Sequence, residues 1–434
     1  MDEAIELILH GIGHSGPTSE QERNDAENIA KALDCLPIAL QQARSYMRET
    51  RCSASSYLER LLASRDRLLS QPVKYQLGMR YLSTYAAFEA SYERLEQRAQ
   101  QMLQFLSCFH WSRFPLEAIT EAAKFNFSDY ELEYNDHGEE YHVARAILRD
   151  LFLRDGQWNI LDLDKLMISL QTYSLITLTP GADTKLLEIH PVLHQWVNSC
   201  LLAQDKPRYQ SAAILLLALN ARFDYTPARQ YLSGHVMHLA PLWSRMHIND
   251  VIAFGLILKN GALYEDASRL LERSINELRG EGESEPILTD VLWQLAIVYR
   301  CCGKLNEALL INEELLKAWK IHQGDRHPNT INATSNLAIV YHELGRLKEA
   351  LDLHEHALNL SKEIFGEKDA LTLMLFGNLG TVYSDSGRLK DALMIREETL
   401  KLHEEVLGNQ HPDTVEESPS SRIWDGFWGD PKGR

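Results

Sequence analysis

The chain has 434 residues, 45% of them hydrophobic and 24% charged, enough for two or three domains with their own cores. That composition excludes a disordered or disulfide-stapled class. Lys and Arg number 44 against 61 Asp and Glu, and the formal charge of −17 argues against contact with phosphate backbones. The longest wholly apolar run, residues 212–219, falls far short of the roughly 20 residues a membrane-spanning helix needs. The acidic start, Met1-Asp2-Glu3-Ala4-Ile5-Glu6, is not a secretory signal. The cysteines at 35, 52, 108, 200, 301 and 302 have neither CxxC nor zinc spacing, so reduced thiols in a cytoplasmic protein are expected. Cys301-Cys302 reads as two buried small residues in a helix.

Ser19-x-x-Glu22 predicts a capping box and a helix through residues 25–33. Pro37 then enters another helix. Gly11-x-Gly13-x-x-Gly16 matches a dinucleotide-binding pattern, but a helical pattern precedes it where that chemistry needs a strand, so a loop between helices is expected. Residues 85–110 read as one amphipathic helix, with further helices at 115–123, 143–152 and 163–173. Residues 174–179 and 185–189 form a hairpin around Pro180-Gly181, and His190-Pro191 opens a helix through Trp196. His190 and His194 have the spacing of a zinc-binding helix, but Pro191 stands where the general-base Glu would be. A structural helix start is therefore expected. His235 and His238 lack a third ligand nearby. The acidic segment 129–140 lacks EF-hand spacing and reads as a solvated loop.

From residue 288 the chain repeats with a period of 42. Leu295, Leu337 and Leu379 fall in register. So do Tyr299, Tyr341 and Tyr383, the glycines Gly303, Gly345 and Gly387, and the alanines Ala308, Ala350 and Ala392. Each block predicts two helices joined at the glycine, with the alanine where they approach closely. Gly324, Gly366 and Gly408 end the blocks. Pro328 and Pro412 suit helix starts, and Ala370 in that place makes the middle junction read as more helical. A degenerate unit lies upstream: Gly261 and Leu263 precede Gly303 and Leu305 by 42 residues, with Ala267 one position late. Beside the Leu-Tyr stripe, the first helices present Asp290, Trp293, Ile297 and Arg300, then Asn332, Ser335, Ile339 and His342, then Met374, Gly377, Thr381 and Ser384. Gln294, Asn336 and Asn378 form an amide column, read as bonding between neighbouring units or to a peptide backbone.

The LAxxY, GxLxEA and GxxHP elements resemble the tetratricopeptide repeats of kinesin light chains over residues 249–414. That resemblance implies an α-solenoid whose concave face binds a protein or peptide. Its carboxylate-gripping members carry Lys and Asn where this chain has Trp/Ser/Gly and Ile/Ile/Thr, so a peptide with an apolar anchor is expected instead. Residues 415–434 carry no repeat and read as a disordered tail. Cys35-Leu36-Pro37-Ile38-Ala39-Leu40 resembles the GLPLAL motif of NB-ARC ATPases of the STAND class, with Cys35 for Gly. Residues 73–202 resemble the winged-helix region of those ATPases, with Ile189-His190-Pro191 at their Met-His-Asp motif. The resemblance makes Pro37 and His190 nucleotide-sensor remnants. No GxxxxGK[ST] string occurs to cradle phosphate, and the chain begins where the nucleotide-binding domain should have ended.

The expected fold is mainly α. It comprises a helical subdomain (1–70), a winged-helix-like domain with one β-hairpin (73–202), a helical connector (203–248) and a tetratricopeptide solenoid (249–414). The expected function is a non-enzymatic interaction scaffold with no cofactor or metal, a protein or peptide partner, no nucleic acid or membrane, and oligomerisation left open. The first alternative is a fragment of a STAND-type signalling ATPase whose NTPase domain is missing from this chain. The second is winged-helix nucleic-acid binding through 163–173, a segment with one Lys and no Arg.

Overall fold

Ser19 Oγ accepts the Glu22 N–H at 3.2 Å, and a Glu22 carboxylate oxygen accepts the Ser19 N–H at 2.9 Å, closing the reciprocal cap its spacing predicts. The computed structural model describes residues 1–10, 19–70, 82–134, 137–181, 183–201, 204–222, 226, 228–281 and 285–406. The glycine pattern at 11–16, Gly408, Pro412 and the tail 415–434 lie outside the described residues. The chain divides into two units, Met1–Leu263 and Tyr264–Arg434.

The first unit begins with α1 (Asp2–Leu9), α2 (Glu20–Ala32), α3 (Pro37–Thr50) and α4 (Ala54–Ser70). Next come α5 (Leu82–Tyr92) and α6 (Gln97–Leu106), where the sequence predicts one continuous helix. The break falls at residues 93–96, although no Pro or Gly stands there. Its cause is tertiary: α5 packs on α3 and α4, α6 packs on the helices Glu139–Phe152, Ile160–Thr172 and Lys206–Ala218, both meet the helix Pro191–Cys200, and the bend lets each half bury its own apolar residues. After them come β1 (Phe114–Pro115), α7 (Glu117–Lys124), α8 (Glu139–Phe152), β2 (Leu153–Arg154), β3 (Gln157–Trp158), α9 (Ile160–Thr172), β4 (Thr177–Pro180), β5 (Lys185–Glu188) and α10 (Pro191–Cys200). Strands β4 and β5 pair antiparallel, Leu178 against Leu187, and β1 adds to the free edge of β5, giving the order β1-β5-β4. The predicted hairpin is therefore present, and it follows a helix and precedes one as expected.

Phe105, Phe109, Phe114, Phe127 and Phe152 form the aromatic centre of this unit, with Phe109 and Phe114 rings 4.6 Å apart. The helix α11 (Lys206–Ala218) carries the longest apolar run and is buried over residues 212–218, packed on α6, α7, α8 and on α13 (Ile248–Asn260), with α12 (Arg229–His238) between them in sequence. The described start of the acidic segment 129–140 is held more firmly than a solvated loop. Tyr130 is buried and donates to Asp250 Oδ1 at 2.7 Å, and Asp129 pairs with Arg222 at 3.1 Å. No helix among the described residues is long and apolar enough to cross a membrane.

Among the described residues the second unit is a run of seven helices: α14 (Tyr264–Glu281), α15 (Glu285–Cys301), α16 (Leu305–Gln323), α17 (Pro328–Glu343), α18 (Leu347–Phe365), α19 (Ala370–Asp385) and α20 (Leu389–Val406). Each packs on the next, the contact pattern of an α-solenoid. Gly303, Gly345 and Gly387 hold φ of 72°, 76° and 76°, the left-handed turn between paired helices. Ala308, Ala350 and Ala392 have no exposed surface, as close helix approach requires. At Gly380, beside Leu379, an added Cβ would lie 3.0 Å from Ile395 Cγ2, so this pair approaches still more closely than its Ala-bearing neighbours require.

Three corrections concern this region. The left-handed position upstream is Ala262, with φ of 58°, and not Gly261, whose φ is −85°. Ala262 precedes Gly303 by 41 residues, and so Ala267, 41 before Ala308, is in register rather than late. The junction before Ala370 is no more helical than the others. Gly366 breaks the chain at φ 89°, and Asp369 caps α19 by accepting the Leu371 N–H at 3.0 Å, the same role His327 plays for α17. Cys301 is exposed and Cys302 half-buried, because the pair ends α15 rather than sitting within it; none of the six cysteines forms a disulfide.

The repeat also builds a ladder that the leucine and glycine columns do not reveal. Tyr299, Tyr341 and Tyr383 donate to Glu272, Glu313 and Glu355 of the preceding helices at 2.9, 3.3 and 2.7 Å. Lys304, Arg346 and Arg388 stand over those three rings at 5.7, 4.2 and 4.3 Å.

Candidate groove on the repeat face

Residues 290, 293, 297 and 300 form one stripe at helical spacing on α15, beside the buried stripe Val291, Leu295 and Val298. The second stripe faces the helix core, which leaves the first for the cleft toward α17. There a cavity of about 160 Å3 is lined by Asp290 and Trp293 of α15, Asn312, Leu315 and Trp319 of α16, and Asn329, Asn332 and Asn336 of α17. A second cavity of about 130 Å3 adjoins it, sharing Trp293, Asn312 and Asn336 and adding Ile297, Arg300 and Ile339. Seven of the fifteen residues read from the stripe and the amide column therefore converge on one place: Asp290, Trp293, Ile297, Arg300, Asn332, Asn336 and Ile339. Trp293 belongs to both cavities.

The electrostatics of the two cavities differ. Asp290 is half-buried, and burial pushes its carboxyl above the ordinary carboxylate range. Among the described residues it has no hydrogen-bond or ion-pair partner, and neither do the side-chain amides of Asn332 and Asn336. Arg300, by contrast, donates to Glu343 of the next repeat at 2.7 Å, so its charge is already balanced.

The remaining expected residues have other roles. Ser335 is fully buried and does not face the groove; its hydroxyl lies 3.4 Å from His354 Nδ1 and accepts from Asn378 Nδ2 at 3.2 Å. The misplacement arises because Ser335 stands two residues after Ala333 on the side of α17 that meets α18. Asn378 thus bonds a neighbouring unit, and Gln294 is buried. His342 Nε2 contacts Asp385 at 2.8 Å, the same one-repeat-on pairing as Arg300 with Glu343. Met374 and Thr381 are exposed, while Gly377 and Ser384 are half-exposed on α19. Trp319 and Asn312 were not legible as groove residues. The positions 42 after Trp319 hold Ser361 and then His403, so no repeating column marks it.

In the first unit, Pro37 occupies the first turn of α3, and His190 caps α10 by accepting the Val192 N–H on Nδ1 at 3.2 Å. His194 Nε2 is engaged by the Phe109 carbonyl at 2.8 Å, so the two histidines of the zinc-like spacing have separate protein partners. His235 is buried with Nε2 at 3.3 Å from the Arg113 carbonyl, and burial pushes it down to about 4. Among the described residues no cluster of three His, Cys, Asp or Glu side chains is arranged to hold a metal ion.

Profiles of the tetratricopeptide repeat match residues 287–363 and 372–413. No curated protein matches the chain. Among solved structures, the chain is similar to a kinesin-light-chain-type protein of Podosopora anserina with nearly identical TPR-like repeats, at 16% identity and a TM-score of 0.37, over 42% of this chain and 89% of that one. It is similar to BtubC (BKLC) from P. vanneervenii at 18% identity and a TM-score of 0.36, over 44% and 78% of the two chains. It is also similar to a STAND protein with a tetratricopeptide repeat sensor from Pyrococcus horikoshii, at 13% identity and a TM-score of 0.27, over 88% of this chain and 62% of that one.

Proposed function

We propose that this chain, whose residues 287–363 and 372–413 are tetratricopeptide repeats, is a non-enzymatic scaffold that binds a peptide segment of a protein partner along the groove between α15 and α17. The observation that carries the reading is the pair of adjoining cavities with Trp293 common to both. A half-buried indole flanked by Ile297 and Ile339 offers an anchor surface, and an aromatic at the centre of a cleft is where binding energy concentrates. Affinity in the roughly micromolar range is expected for one short segment.

The test compares the full chain with a Trp293→Ala/Arg300→Glu double variant against a displayed peptide library. Arg300 forms an exposed pair worth at most about 1 kcal/mol, and the circular dichroism of the variant checks that truncating half-buried Trp293 leaves the helices folded. Loss of the selected peptides supports the groove; equal binding by the double variant moves the site elsewhere.

A second reading concerns the first unit. The sheet order β1-β5-β4, with α9 before the hairpin and α10 after it, supports a winged-helix-like domain, and the Cys35-Leu36-Pro37-Ile38-Ala39-Leu40 resemblance supports the STAND-type reading of it. On that reading Pro37 and His190 keep structural positions at helix starts. A nucleotide titration followed by calorimetry tests it: ATP or ADP binding by this chain would show that the two residues still sense a ligand.

A further inference from the structure

We infer that the larger cavity, bounded by Asp290, Trp293, Trp319, Asn332 and Asn336, is a subsite for a guanidinium side chain of the bound segment. The inference rests on the peptide-groove reading and deepens it. The cavity of about 160 Å3 equals the volume of about five water molecules, room for one long side chain.

Its chemistry selects the occupant. Asp290 supplies a carboxylate with no cation beside it, withdrawn from water by half, and such a group loses solvation that only a ligand can return. Asn332 and Asn336 supply two amide carbonyls, one turn apart on α17, without partners of their own. Two indoles, Trp293 and Trp319, add aromatic faces. An apolar side chain would leave the three polar groups unpaired, at a cost for each. An anion would meet Asp290, and Arg300, the cation that lines the adjoining cavity, is held by Glu343. A guanidinium can donate to the carboxylate and both amide carbonyls at once, because it is planar, carries five N–H groups in a fork and stacks on aromatic faces. The net charge of −17 favours approach of a basic segment at long range.

The experiment selects a random displayed peptide library on the full chain and counter-screens each hit on Trp293→Ala. Trp293-dependent hits are expected to share an Arg. One such peptide is then synthesised with Arg, Lys or citrulline, the last being a neutral isostere, and titrated against the parent chain and Asp290→Asn. Citrulline is expected to weaken binding to the parent about tenfold or more, Lys less, and Asp290→Asn to abolish most of that discrimination. Asp290→Asn removes an unpaired, half-buried charge, so its melting temperature should equal or exceed the parent's, which separates lost recognition from lost fold. Trp293-dependent hits without a basic residue, or the same citrulline penalty in both proteins, overturn the subsite while leaving the groove intact. An absence of any Trp293-dependent hit overturns the groove reading and the subsite together.

Discussion

The left-handed turns of the repeats permit a reciprocal test of register. At Gly345 an added Cβ would meet no atom within 4 Å, so Gly345→Ala creates no clash and its cost is backbone strain alone. Holding Ala at φ near 76° costs about 1–2 kcal/mol, and the stiffer unfolded chain offsets about 0.4–1 kcal/mol of it. The net loss is about 1 kcal/mol, or a fall in melting temperature of about 2–4 °C for a unit of this size. Ala262 already sits at φ 58°, so Ala262→Gly should reverse the sign and gain up to about 1 kcal/mol. Both variants are read by urea unfolding of the full chain, with hydrogen exchange at α17 and α18 localising the effect of Gly345→Ala. A neutral Gly345→Ala together with a destabilising Ala262→Gly would refute both the strain argument and the 41-residue register.

Phe376 is fully buried among Leu373, Leu379 and Leu358, and Phe376→Ala should cost about 3–5 kcal/mol, seen as early unfolding of the second unit by circular dichroism. Tyr383 donates to Glu355 at 2.7 Å, and burial with that carboxylate pushes its phenol up to about 12. Tyr383→Phe should lose about 1 kcal/mol, and a loss that persists unchanged in a Glu355→Ala background, which removes the acceptor, would show the bond is not its cause. His354 has no exposed surface, and burial pushes its imidazole down to about 4. The unfolded chain takes up that proton near the ordinary value of about 6.5, so the contribution is present above that pH and is lost as pH falls toward 4, by on the order of 3 kcal/mol in all. His354→Gln should flatten the fall in urea midpoint over that window; an unaltered slope would assign it to other groups.

By itself the sequence determined whatever follows from local chemistry and period. The 42-residue columns specified paired helices, because a glycine able to adopt positive φ and a small residue at the point of closest approach can be read one position at a time. The Ser19–Glu22 cap and the hairpin around Pro180-Gly181 were legible for the same reason. The cationic column Lys304, Arg346 and Arg388 was equally open to reading, being in register with the tyrosines it covers. Tertiary structure decided the rest. An amphipathic stripe shows that a face is buried and not which neighbour buries it, so residues 85–110 bend, Ser335 turns to His354, and Arg300 and His342 pair with acids one repeat plus one residue away. The groove combines side chains from three helices, and Trp319 joins Trp293 there only because α16 packs between α15 and α17, a proximity that no spacing along the chain encodes.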